Sequence, residues 1–151
     1  MIKFPALLIS FIFFFMSLNT TGLREVRSSY NKLASNKALC EKFIDEFTKT
    51  KNNSATHLAY LGALQTIWAN HVFSPINKYS TFIEGKKNIE KAIKNQPENV
   101  EIRFIRLSVQ KNAPSFLGYN SNIHEDTKFI KENSDQIDSG VLLNNIRTIL
   151  K

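Results

Sequence analysis

Apolar residues past position 22 recur at spacings of three and four and rarely alternate, which is the periodicity of helices and not of strands. Leu23, Val26, Tyr30 and Leu33 mark a first helix over 23–35, and Leu39, Cys40, Phe43, Ile44 and Phe47 a second over 37–50. Lys51-Asn52-Asn53-Ser54 is a polar turn, with Ser54 placed as the N-cap of the next helix, over 55–72. That helix carries Leu58, Ala59, Leu61, Gly62, Leu64, Ile67 and Trp68. It is apolar around most of its circumference and is expected to be the central, most buried one. Over 81–96, Phe82, Gly85, Ile89, Ala92 and Ile93 form a buried stripe, and Lys86, Lys87, Glu90, Lys91 and Lys94 crowd the solvated faces. Pro97-Glu98-Asn99 breaks that helix and starts another over 99–111. There Val100, Phe104, Leu107 and Val109 turn inward, Ile102 and Ile105 widen the apolar arc, and Arg103, Arg106 and Gln110 line up as a polar stripe. Asn122 is placed to cap a helix over 123–133, and 141–150 supplies the last.

These segments predict an all-α domain over 23–151, a stack of antiparallel helical hairpins. Two longer connections interrupt it, Asn70–Ser80 and Asn112–Asn122. In an up-down stack alternate connections fall at the same end, and the tight Pro97 turn puts both long ones opposite it. Phe73, Tyr79, Phe116, Leu117 and Tyr119 should therefore gather near the helix ends that carry Trp68, His71 and Arg106. Aromatic and arginine side chains are favoured interface anchors, so these eight are the candidate partner-binding residues. The competing expectation is that the loops fold down and cap the core. Loops this rich in Phe, Tyr and Leu are poor free linkers.

The N-terminus has a different character. One basic residue, Lys3, precedes an uncharged apolar run from Phe4 to Leu18 that reads as the h-region of a secretory signal within 1–22. The run is shorter than the roughly 20 residues that span a bilayer comfortably. No small-x-small cleavage pattern follows in Asn19-Thr20-Thr21-Gly22, which leaves an uncleaved anchor open. The expected location is the periplasm or cell envelope, with membrane contact only through that segment. A single cysteine excludes an internal disulfide, and Cys40 on the helical stripe reads as a small buried hydrophobe. The net charge of +7 favours anionic surfaces, but lysines scattered over helices mainly maintain solubility.

The segment from Ala92 to Asn99 resembles the end of a tetratricopeptide repeat, with Ala92 as the small packing residue and Pro97 five positions on as the terminator. Leu58, Leu61 and Gly62 resemble the large-residue and Leu-Gly positions of that repeat's first helix. An insertion of about ten residues then falls in Asn70–Ser80. The resemblance covers about 45 residues without a second clear copy, and it implies a degenerate, tetratricopeptide-like α-solenoid fragment. The run Glu101–Gln110, continuing to Pro114–Tyr119, is similar to exported, uncharacterised helical proteins of Bacteroidota. That likeness implies a compartment and no activity.

Catalytic chemistry finds little support. His57, His71 and His124 lack the i, i+4 partner or Cys neighbour of a zinc site, and His124-Glu125-Asp126 at a helix start complements the helix dipole. Ser74 and Ser115 lack a nucleophile elbow, the five glycines form no phosphate-cradling loop, and there is no haem-attachment pattern. No cofactor and no metal are expected. Nucleic-acid binding has the charge behind it but no basic cluster or interleaved aromatic motif. The leading expectation is a non-catalytic interaction module with an envelope protein partner. The alternative is a protein that binds a lipid or small apolar ligand in a pocket under the 70–80 and 112–122 loops.

Overall fold

Polar side chains at helix starts set most element boundaries in the computed structural model, which describes residues 18–51 and 54–151. The apolar segment assigned to export lies outside the described residues except for Leu18. Seven α-helices follow: α1 (Leu18–Ser29), α2 (Lys37–Lys49), α3 (Ala55–Trp68), α4 (Pro75–Asn95), α5 (Val100–Asn112), α6 (Ile123–Asn133) and α7 (Gly140–Leu150), with no strand among the described residues. Asn36 accepts from the Leu39 amide at 3.0 Å, Ser54 from His57 at 3.1 Å and Asn99 from Ile102 at 3.1 Å, each satisfying an amide that the first helical turn leaves unpaired. Helix α1 starts within the 1–22 segment and runs on through Gly22.

Three expectations are corrected. The stretch Asn70–Ser80 is not a long irregular loop. Ser74 caps α4, Pro75 takes its first turn, and the helix begins six residues before the apolar stripe suggested. Asn122 holds the N-cap position of α6 but not through its side chain, whose carboxamide oxygen accepts from Gln110 Nε2 at 3.2 Å and from Ser121 Oγ at 3.1 Å. The most buried helix is α5, not α3. Every residue from Val100 to Gln110 is buried, and α5 packs against α3, α4, α6 and α7.

Antiparallel α3 and α4 cross at two glycines. A Cβ on Gly62 would lie 2.6 Å from the Gly85 carbonyl oxygen and 2.8 Å from Ile89 Cγ1, and a Cβ on Gly85 would overlap the Gly62 carbonyl oxygen. Gly in mid-helix costs about 1 kcal/mol relative to Ala, so two facing glycines trade propensity for close backbone approach. Leu64, Ile89, Ile102, Ile105 and Leu107 fill the core around this crossing. Cys40 is fully buried, its thiol donating to the Leu64 carbonyl at 3.6 Å, and burial pushes its pKa up to about 11. His57 is buried too, stacked on Phe47 at 4.3 Å with Nε2 at 2.9 Å from the Phe47 carbonyl oxygen.

Two ion clusters lock the outer helices to α5. Arg27 of α1 donates to both Glu101 oxygens at 2.6 and 2.7 Å, and the Tyr60 hydroxyl donates to the same carboxylate at 2.7 Å. On the far side Asp126 of α6, wholly buried, accepts from Arg106 Nε at 2.7 Å, Arg106 Nη2 at 2.8 Å and Arg103 Nη1 at 3.0 Å. This explains how Arg103 and Arg106 of the polar stripe lie inside a core, since buried charge is tolerated when paired and hydrogen-bonded. It also changes the role read for the α6 acids. Asp126 is an ion-pair centre and Glu125 a partial partner of Arg103 at 2.8 Å, beyond any favourable term with the helix dipole.

Candidate binding cleft

The C-terminal ends of α3 and α5, the N-terminal end of α4 and the turn after α1 converge on one side of the molecule. Helices α1 and α3 run on into 3-10 turns there, and α5 into Ala113-Pro114. The gap left between them is a cavity of about 650 Å³, open on one side. Tyr30, Thr66, Ala69, Phe82 and Val109 form its buried floor. Asn31 and Ala34 flank it from the α1 side, Ile149 and Thr148 from α7, and Ala113, Pro114, Phe116 and Leu117 from the segment after α5. Pro75, Lys78 and Tyr79 close it from the first turns of α4. The two connections singled out from the sequence thus face each other across this space.

The polar groups of the interior are already paired within the protein. Tyr30 and Ser108 hydroxyls share a hydrogen bond at 3.1 Å, Thr66 donates to the Ala63 carbonyl at 2.7 Å, and Asn112 Nδ2 donates to the Ser108 carbonyl at 2.8 Å. Asn31 Nδ2 reaches Asn145 Oδ1 at 3.0 Å. Burial pushes the Tyr30 hydroxyl pKa up to about 12, so it stays protonated through the neutral range. What the interior presents is mainly carbon. Among the described residues, Lys78 is the one ionisable side chain on the lining besides the tyrosines, and no Asp or Glu borders the cleft.

The eight residues expected at a recognition surface divide into four groups. Tyr79, Phe116 and Leu117 line the cleft, and Phe116 is 85 % exposed at its mouth. Phe73, fully exposed, projects beside the rim together with Ile76. Trp68 and His71 do not line the cleft. Their rings lie 5.6 Å apart, Lys37 covers the Trp68 ring at 5.5 Å, and His71 Nε2 is buried with no protein partner among the described residues.

Arg106 and Tyr119 form the fourth group, and both are buried, as the capping expectation has it for the loop. Arg106 is 4 % exposed and spends its guanidinium on Asp126 and on Glu90, the latter at 3.3 Å. Burial is the largest single influence and works against that charge, but the hydrogen bonds to Asp126 and the charges of Asp126 and Glu90 together outweigh it and raise the pKa. Gly118, at φ 60°, turns the chain so that Tyr119 folds down onto Phe82, ring centroids 6.1 Å apart in an edge contact. The Tyr119 hydroxyl donates to Glu90 at 2.6 Å and Lys86 lies 4.9 Å from its ring. Burial, then the Glu90 charge, raises its pKa. One loop therefore both caps the core, through Tyr119, and leaves Phe116 exposed.

The floor residues Tyr30, Phe82 and Val109 were assigned to the core by periodicity, and nothing in that pattern marks them as cleft floor. Among the described residues no group of His, Cys, Asp and Glu could hold a metal ion, and no helix is long and apolar enough to cross a membrane. The chain matches no protein-family model, no curated protein and no solved structure.

Proposed function

We propose that this chain is a non-catalytic binding protein of the cell envelope, exported through its N-terminal segment, whose working surface is the cleft at the ends of α3, α4 and α5. The observation that carries the reading is the cavity of about 650 Å³ with a paired, carbon-rich interior. Its volume falls within the range of small-molecule sites, about 300–1,000 Å³. The buried carboxylates Glu101 and Asp126 are committed to guanidinium partners and neither borders the cleft, which also favours a binding role. The α3–α4 hairpin with its glycine crossing, followed by α5 after Pro97, supports a tetratricopeptide-like reading of the fold.

The test is saturable binding of an environment-sensitive apolar fluorophore to the purified domain. Wild type should bind it one-to-one, and Ala34→Trp, which fills the cleft from an exposed wall position, should weaken binding at least tenfold with an unchanged melting curve. Equal binding by the two proteins would remove the cleft from the function. A second reading, docking of an envelope protein, is favoured by the exposed Phe73, Ile76 and Phe116 beside the mouth. In it, crosslinks from Lys78 in cells should converge on one partner, and Phe73→Ala with Phe116→Ala should abolish them.

A further inference from the structure

The cleft separates two kinds of surface, and that separation specifies a ligand. Its interior offers carbon and hydroxyl or carboxamide groups that already have partners, so a polar ligand group entering there would lose its hydration without compensation. Its rim is the reverse. Asn70, Lys78 and Tyr79 are exposed there, and their side chains have no hydrogen-bond or ionic partner among the described residues. Among the described residues the lining carries one cation and no acid. Lys111, outside the lining, spends its ammonium on the backbone carbonyl of Ile149, a wall residue, at 2.5 Å. Wall and rim together match a molecule with an apolar body and one anionic end.

We infer that the cleft binds a single-chain amphiphile with an anionic head group, its chain over Phe82 and Val109 and its head at Lys78. This rests on the cleft reading above and adds the ligand class. The volume admits one chain. A carboxylate and a phosphate monoester satisfy the same rim chemistry, so the head is defined as a compact anion. A cationic amphiphile would meet Lys78 as a like charge with no acid nearby to offset it.

The experiment is calorimetric titration, below the critical micelle concentration, of the folded domain with four amphiphiles of equal chain length. Their heads are a carboxylate, a phosphate monoester, a neutral alcohol and a quaternary ammonium. The two anions should bind about fivefold tighter than the alcohol, the scale of one partly exposed ion pair, and the ammonium weakest. The advantage should vanish in Lys78→Ala, fall further in Lys78→Glu, and shrink as salt rises. Each added methylene that finds room should tighten binding about fourfold until the cleft is full. A preference for phosphate over carboxylate, or the reverse, assigns the head within the inferred class. Equal binding of anion and alcohol, unmoved by Lys78→Ala but weakened by Ala34→Trp, would overturn the head-group inference and leave the cleft reading standing. No binding of any amphiphile by the folded wild type, or binding only of apolar peptides, would overturn the ligand class itself.

Discussion

Single side chains hold this structure together at a few points where the cost of change can be stated. Gly62 and Gly85 leave no room for a methyl group, since each would press its Cβ against the other's carbonyl oxygen. Gly62→Ala should therefore lower unfolding free energy by about 2–3 kcal/mol, despite Ala's better helix propensity, when measured by urea denaturation. A gain in stability would show that the helices do not approach this closely. Asp126→Asn should cost more, about 3–5 kcal/mol, because Arg103 and Arg106 would remain buried around a neutral group. A loss below about 1 kcal/mol would mean that water reaches those guanidiniums. Proton linkage gives a third prediction. The Cys40 thiol and the Tyr30 hydroxyl have raised pKa values, about 11 and about 12, and burial also raises those of Tyr60 and Tyr119. The folded state then holds protons that the unfolded chain releases, so stability is fully present below the unfolded values and falls as pH rises through the folded ones. Urea midpoints should decline from about pH 9 upward, less steeply in Tyr30→Phe than in wild type, and a flat profile to pH 11 would contradict the burial of these groups.

At the level of elements, legibility followed the source of each helix's stability. Helices that bury a continuous apolar stripe, such as α2 with Cys40, Phe43 and Phe47, could be placed from periodicity to within a residue or two. The start of α4 could not, because Ile76 and Tyr79 are exposed and the buried stripe begins only at Phe82. Its signal was local chemistry, a serine followed by proline, which sets an N-cap and the first helical φ. The centrality of α5 was hidden for a different reason. Arg103, Arg106 and Gln110 read as a polar stripe, and only the partner on α6, twenty residues away from Arg106, shows that two of them are neutralised inside. Helix α1 depends on a similar long-range tie, Arg27 to Glu101, with Asn145 Nδ2 of α7 donating to the Arg27 carbonyl at 2.8 Å. Glu101→Gln should speed amide hydrogen exchange over 22–30 at least tenfold while α4 and α5 keep their protection. Unchanged exchange in α1 would show that apolar packing of Val26 and Leu33 alone holds it.

Over the whole molecule, the expected stacking of hairpins puts the 70–80 and 112–122 stretches at one end, and residues of both border the cleft, although Pro75 onward is helix. It did not show which aromatics face outward. Tyr119 turns inward through Gly118 and Glu90, whereas Phe116, three residues earlier, stays in solvent. Helix α1 leads from Leu18 towards the cleft floor at Tyr30, about 18 Å along its axis. The measurement that tests the central claim most directly is amide chemical-shift mapping on the folded domain during titration with a long-chain carboxylate. The account predicts saturable shifts concentrated at Tyr30–Ala34, Thr66–Asn70, Lys78–Phe82 and Ser108–Leu117, with Asp126 and its neighbours on α6 unmoved. Shifts centred on α6, or spread evenly over the surface without saturation, would contradict it.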